Sequence, residues 1–128
     1  MNIQNFKLGN LIRISPRQNE EGVLFIIDIQ HSSIIGEMIT PRQGYHFRIK
    51  FEEMLPLALD EIWLERLGFY QRKEKDDVWV DQKNFVEFKY NKSGSGFLEK
   101  GHIVVGISCV HELQNSYSTL TGEELLSN

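Results

Sequence analysis

The sequence predicts an α+β fold in which a small curved antiparallel sheet is followed by a linking helix and a second small antiparallel sheet, packed by a C-terminal helix. Residues 1–54 hold short apolar segments separated by Gly- and Pro-containing turns, the pattern of short strands. At Pro56 the apolar period changes from two to about 3.6, which is typical of a helix. We therefore expect a curved β subdomain over 1–54, with an SH3-like barrel as one form of it, and an α+β subdomain over 55–128, together forming one compact unit.

Four strands are predicted in the first part. Residues 9–14 alternate apolar and polar side chains, 23–30 are rich in β-branched and aromatic residues, and 34–40 follow the break at His-Ser-Ser. The segment 45–54 alternates most clearly, which is typical of a half-buried strand. Its expected core face carries Tyr45, Phe47, Ile49 and Phe51, and its expected outer face carries His46, Arg48, Lys50 and Glu52.

The second part begins with a predicted helix over 60–68. Asp60 is a suitable N-cap and Gly68 a suitable left-handed C-cap. Two strands are expected within 78–91, followed by a flexible loop over 92–101 because that segment is rich in Gly and Ser. The last strand is predicted at 102–108, before a closing helix that Thr121-Gly122 should end as a C-cap.

The composition restricts the class of protein. The chain of 128 residues has a net charge of −4, so no basic surface for nucleic acid or anionic lipid is expected. Cys109 is the sole cysteine, which excludes an internal disulfide and favours a reducing compartment. The start of the chain does not resemble a secretory signal, and the longest apolar run is too short to cross a bilayer. We expect a cytoplasmic protein with no membrane partner.

Catalytic and metal-binding patterns are not found in the sequence. The four histidines are scattered singly, without the spacing of a zinc site, and the Gly-rich segment 92–101 lacks the context of a phosphate loop. Cys109 and His111 are two positions apart, so on a helix they would point about 200° from each other and not touch. Cys109 is therefore predicted to be a small buried residue. We expect no catalytic residue, no metal and no cofactor, and hence a protein that is not an enzyme.

The closing helix carries an unusual polar face. On a helical wheel Val110, Leu113, Tyr117 and Leu120 form an apolar stripe that should face the core. Beside it lies a stripe of uncharged hydrogen-bonding side chains, which is what a partly buried surface requires. Two interpretations stay open: the stripe bonds within the chain, or it contacts a ligand or partner. Its members, the polar stripe from here on, are His111, Gln114, Asn115 and Ser118.

A second candidate site lies on the strand 45–54. Tyr45, His46 and Arg48 combine an aromatic ring with cationic groups, as sites for stacked bases and phosphates do. The alternation of the strand, however, places the rings and the cations on opposite faces. Rings packed inward with polar groups outward are therefore the main expectation.

Three segments carry a distinctive pattern: the opening FKLGNLI, the helix segment LPLALDEIWLERLGF and the closing VHELQNSYSTLTGEEL. Together they resemble a family of small uncharacterised proteins common in Bacteroidetes genomes, prophages and phages. Departures from the family pattern are Ala58, where a second proline is usual, and Ser118, where an aromatic residue is frequent. The resemblance implies a phage or mobile-element setting, and hence the cytoplasm of a bacterial host, and it assigns no activity to any residue.

These observations predict a non-enzymatic binding protein of phage or mobile-element origin that acts through protein–protein contacts, as a homo-oligomer or on a host protein. A first alternative is a small-ligand binder that sequesters a host nucleotide signal and so counters host defence. Its cues are side chains that could supply stacking and phosphate contacts, namely Tyr45, His46, Arg48 and His111. A second alternative is a nucleic-acid-binding or virion component.

Overall fold

The computed structural model describes residues 6–17, 20–83, 85–91 and 93–126. The chain divides into two compact units, 1–57 and 58–128. Each unit contains one five-stranded antiparallel sheet, and the second also contains both α-helices. The α+β class with two small antiparallel sheets, predicted from the sequence, is therefore confirmed.

The first unit is a meander whose last strand returns to the first. Its sheet has the order β4-β3-β2-β1-β5, and a short 3₁₀ turn at Phe51–Glu53 leads into the last strand. The strands are β1 (Leu11–Arg17), β2 (Glu20–Ile29), β3 (Ser33–Thr40), β4 (His46–Lys50) and β5 (Leu55–Pro56).

One apolar cluster holds the first unit together. Side chains of β1, β2 and β3 meet Met54, which follows the 3₁₀ turn, so the sheet curves around its own core. Gly36 allows this approach, because a Cβ atom there would lie 2.9 Å from the side chain of Leu24. The buried members of the cluster are Phe6, Ile12, Ile14, Leu24, Ile26, Ile34 and Met54.

The expectation that Tyr45 and Phe47 pack inward into the core is wrong. Phe47 pairs with Gly36 and so shares the core face of the sheet, yet 40% of Phe47 and 54% of Tyr45 is exposed. The reason is position, because β4 is the outermost strand of the sheet and extends beyond the core. Ile49, nearer the end of β4, does pack against the cluster.

The second unit is a simple meander between two helices. Helix α1 (Glu61–Arg66) precedes a sheet of order β10-β9-β8-β7-β6, and helix α2 (Val110–Thr121) follows it and packs on β9 and β10. The strands are β6 (Phe69–Arg72), β7 (Lys75–Asp81), β8 (Val86–Tyr90), β9 (Gly96–Lys100) and β10 (Ile103–Ile107).

The helix ends follow the capping predictions. The Asp60 carboxylate accepts a hydrogen bond of 2.9 Å from the Trp63 N–H at the start of α1, and Gly68 has a φ of 93°. Helix α2 ends at Thr121, where Gly122 adopts the left-handed conformation with a φ of 76°. Neither helix in the described ranges has the length and apolar character needed to cross a bilayer.

The prediction of a flexible loop over 92–101 is wrong, because Gly96–Lys100 forms strand β9. Gly96 allows β9 to approach β8 closely, because a Cβ atom at this position would lie 2.2 Å from the Lys89 carbonyl oxygen. The Gly- and Ser-rich composition therefore concealed a tight strand contact. Strand β6, which follows Gly68 directly, was not predicted either.

Candidate functional site

The residues predicted to bind fall into two groups. Tyr45, His46 and Arg48 belong to the first unit, whereas the polar stripe belongs to helix α2 of the second. We describe each group within its own unit.

The polar stripe does not lie on an open face. His111 is 5% exposed, Gln114 is 4% exposed, and Asn115 and Ser118 are half-buried. The Gln114 side-chain amide donates a buried hydrogen bond of 3.0 Å to the Leu125 carbonyl oxygen. This bond fastens the segment after the helix, whose Leu125 side chain is also buried. At Gln114 the stripe therefore has an internal structural role.

The expectation that Cys109 and His111 cannot touch is wrong. The Cys109 sulfur lies 3.2 Å from Nδ1 of His111. The helical wheel does not apply because Cys109 is the N-cap of α2, with an extended backbone at φ −160° and ψ 171°. Cys109 is buried, as predicted.

Burial keeps this Cys–His pair neutral. Desolvation raises the pKa of the Cys109 thiol to about 11 and lowers the pKa of His111 from 6.5. At neutral pH the pair is therefore a thiol next to a neutral imidazole. A nucleophile requires a thiolate in an electropositive and partly exposed setting, which this pair lacks.

Glu112 completes the cluster at the start of α2. Its carboxylate accepts hydrogen bonds from the N–H and the Oγ of Ser108, at 2.8 and 2.6 Å. Burial acts to raise the pKa of Glu112, but the Ser108 bonds and the nearby His111 outweigh it, so the pKa is lowered. A carboxylate at the first turn also interacts favourably with the helix dipole. The Glu112 charge further raises the pKa of the Cys109 thiol.

A buried carboxylate under the same helix was missed in the sequence. The Tyr117 hydroxyl donates a hydrogen bond to Asp81, which is 7% exposed at the end of β7. The other carboxylate oxygen accepts from the Lys83 N–H at 3.4 Å. The available signal was an aspartate ending a strongly apolar strand, Val78–Trp79–Val80. The bond ties α2 to the hairpin between β7 and β8.

The polar face of β4 is engaged by its neighbours within the unit. His46 lies 3.2 Å from a Glu37 carboxylate oxygen, and Arg48 donates to the side chains of Gln30 and Ser33. On the opposite face lie the rings of Phe47 and of Tyr45, the residue just before β4. Their centroids are 6.5 Å apart, and they are called the aromatic pair of β4 from here on. The predicted separation of rings from cations is therefore observed. The two kinds of group do not converge on one ligand-sized site.

A groove of about 270 Å³ opens at the end of the first unit's core. Among the described residues, its charged lining consists of the carboxylates of Glu52 and Glu53. Two carboxylates make this groove unfavourable for phosphate groups. In the part of the chain that the structure describes, no cluster of three or more His, Cys, Asp or Glu side chains is arranged to hold a metal ion.

Comparison of the chain with models of protein families, with functionally described proteins and with solved structures finds no match.

Proposed function

We propose that this chain is a non-enzymatic binding protein that acts through protein–protein contacts, with the aromatic pair of β4 as its contact surface. The observation that carries the proposal is the exposure of two neighbouring rings on the core face of an edge strand, at 54% for Tyr45 and 40% for Phe47. The first unit has its own apolar cluster and leaves these rings outside it. Aromatic side chains are enriched among the residues that dominate protein interfaces.

The surroundings of the aromatic pair indicate the kind of partner. The turn before β4 carries Arg42, and the strand itself carries Arg48 and Lys50, all of them exposed. The rings and these cations lie on opposite faces of β4, so a partner would cover the rings with an apolar surface and meet the cations only where it reaches around the edge of the strand. We therefore propose a partner surface with an apolar centre and an acidic rim, presented by a host protein.

The cluster at the start of α2 supports the absence of catalysis. Its thiol and imidazole are buried and neutral, and its carboxylate is held by Ser108. This cluster stabilises the helix start, and it does not present a reactive group at the surface. A phage or mobile-element origin, and a place in the cytoplasm of a bacterial host, are proposed with it on the strength of the sequence resemblance alone.

The two alternatives have less support. A nucleotide-binding site was suggested by Tyr45, His46, Arg48 and His111. The ring of Tyr45 and the polar groups of His46 and Arg48 lie on opposite faces, and the nearby groove carries two carboxylates. His111 is buried within the second unit. A nucleic-acid-binding role would require a basic surface, whereas the chain has a net charge of −4.

The experiment compares co-purification by the wild-type chain and two double variants from bacteria that carry the gene naturally. Tyr45→Ala with Phe47→Ala removes the aromatic pair. Tyr70→Ala with Phe85→Ala removes two exposed rings from the second unit, where 46% and 82% of these residues is exposed. We expect the wild type and the second variant to retain the same partner protein, and the first variant to lose it while staying folded.

Equal retention by both double variants would contradict the proposed surface. Native mass spectrometry of the same preparations tests the nucleotide alternative. A retained small mass that disappears in an Arg48→Ala variant would contradict the proposal in favour of that alternative.

A further inference from the structure

The four edge strands of the two sheets differ in how they are protected against further pairing. Strand β4 carries Arg48 and Lys50, and β5 is two residues long and includes Pro56. Strand β6 is short, ends in Arg72 and has an irregular register with β7. Charges, Pro, short length and irregular pairing are the devices by which proteins block edge-to-edge association.

Strand β10 has none of these devices. Its sequence is Ile-Val-Val-Gly-Ile, without a charge or a proline, and it pairs with β9 in a continuous register. Ile103 and Val104 are each 54% exposed. An apolar, regular and exposed edge strand is a site for pairing with another strand.

The hairpin before β10 determines which backbone groups are available. Gly101 and His102 form a two-residue turn, so the flanking Lys100 and Ile103 form a hydrogen-bonded pair. Because hydrogen-bonded and non-hydrogen-bonded pairs alternate, the N–H and C=O groups of Val104 and Gly106 point away from β9. These groups lie on the free edge of the sheet.

We propose that a second copy of this chain occupies that edge, with β10 pairing antiparallel to the partner copy's β10 about a two-fold axis at Val105. Val104 of each copy then exchanges backbone hydrogen bonds with Gly106 of the other. The two sheets join into one continuous sheet across the dimer. An isologous contact of this kind closes on itself and forms a dimer, not a filament.

The side chains of β10 are self-complementary in this register. Val104 faces Gly106 of the other copy, where the missing side chain leaves space for Val104 to reach the ring of Phe97, which is 54% exposed. Ile103 faces Ile107, and Val105 faces itself. No like charges face each other along the strand.

The ends of the strand add complementary polar groups. His102 of one copy faces Ser108 of the other, and the Ser108 hydroxyl donates a hydrogen bond to the Glu112 carboxylate. An imidazole next to a carboxylate favours this register over one shifted along the strand. This proposal rests on β10 of the second unit and is independent of the aromatic pair of β4.

The test is the dimer dissociation constant of the full chain, measured by sedimentation equilibrium. We expect the wild type to dimerise at micromolar concentration, and Val104→Lys to raise the dissociation constant by at least about tenfold because a lysine at an edge opposes pairing. Tyr70→Lys is the matched control, because it places the same charge on a similarly exposed residue of the opposite edge strand, β6. This control should dimerise like the wild type.

A second measurement does not depend on how Val104→Lys folds. Val105→Cys brings two thiols together at the two-fold axis, where directly opposed Cβ atoms lie about 4.5–5.5 Å apart, and mild oxidation should trap a covalent dimer. The wild type, with its buried Cys109, and Tyr70→Cys supply the background rate. A monomeric wild type, a dimer unaffected by Val104→Lys, or cross-linking no faster than in Tyr70→Cys would each overturn the proposal.

Discussion

Helix α2 and strand β4 both carry a polar face beside an apolar one, but the two faces end in opposite environments. On α2 the polar side chains His111 and Gln114 are buried and bonded within the unit. On β4 the polar side chains and the aromatic pair are all exposed. The first region therefore contributes mainly to stability, whereas the second is available for contact with another molecule.

The difference follows from residue type and from position. Amide and imidazole groups are buried at low cost when a few local partners satisfy them, whereas Arg and Lys groups stay in water. Helix α2 lies across the sheet of its unit, so its polar stripe borders the core. Strand β4 lies at the edge of its sheet, so even its core-facing rings reach beyond the core.

Removal of a tyrosine hydroxyl should change the free energy of unfolding very differently in the two regions, and this is the largest contrast that we expect. Tyr117→Phe removes the hydroxyl that bonds the buried Asp81 carboxylate, so the free energy of unfolding should fall by about 1.5–3 kcal/mol. Tyr45→Phe removes an exposed hydroxyl and should change it by less than about 0.5 kcal/mol. Urea unfolding followed by tryptophan fluorescence reports on the second unit, which holds both tryptophans, and circular dichroism covers the first. If the two substitutions lower the free energy of unfolding equally, the proposed difference between α2 and β4 is wrong.

The pH dependence of stability tests the buried cluster of α2. Because the pKa of His111 is lowered from 6.5, the unfolded chain binds more protons below that pH, so stability falls as the pH drops from 6.5 through the folded-state pKa. Because the pKa of Cys109 is raised from 9.0 to about 11, the folded chain retains its proton longer. Its contribution is therefore present below pH 9 and is lost between pH 9 and about 11.

Two variants test which residue causes the loss of stability at low pH and which causes the loss at high pH. His111→Asn should reduce the slope below pH 6.5, and Cys109→Ala should reduce the slope just above pH 9. Tyr90, whose pKa is raised above 10 chiefly by burial, contributes to the loss at still higher pH, so the comparison is made between pH 9 and 10. If the dependence of the unfolding free energy on pH is the same in both variants as in the wild type, other groups control it.

Ser118→Ala should have the smallest effect. Ser118 is half-buried, and the hydrogen bond that its carbonyl accepts from the Gly122 N–H does not depend on the side chain. Alanine also favours the helix, so the free energy of unfolding should stay within about 0.5 kcal/mol of the wild type. A loss of more than 1 kcal/mol, measured by thermal unfolding, would show that the outer part of the polar stripe is structural as well.

Much of the fold follows from local sequence patterns. Apolar alternation and turn residues predicted β2, β3 and β10. Capping residues predicted helix α1 and the end of α2 at Gly122, and the apolar stripe predicted α2 itself. These predictions succeed because the period of apolar residues and the conformational preference of a capping residue are local properties.

The failures depend on long-range contacts that no local pattern contains. The Gly and Ser content around Gly96 is typical of a loop. The glycine is required, however, because the Lys89 carbonyl oxygen of the neighbouring strand leaves no room for a side chain. The exposure of Tyr45 depends on β4 being an edge strand, which is a property of the whole sheet. The Cys109–His111 contact depends on α2 starting one residue after Cys109, and a shift of one residue at a helix end reverses the expected geometry.

The central claim, that the polar stripe of α2 stabilises the fold and the aromatic pair of β4 does not, is tested most directly by the urea-unfolding free energies of two double variants. His111→Ala with Gln114→Ala should lower the free energy of unfolding by about 1–3 kcal/mol, because buried partners lose their hydrogen bonds. Tyr45→Ala with Phe47→Ala should lower it by less than about 1 kcal/mol, because about half of each residue is exposed and neither ring belongs to the buried apolar cluster. The reverse order, with the aromatic pair costing more stability than the polar stripe, would contradict the account.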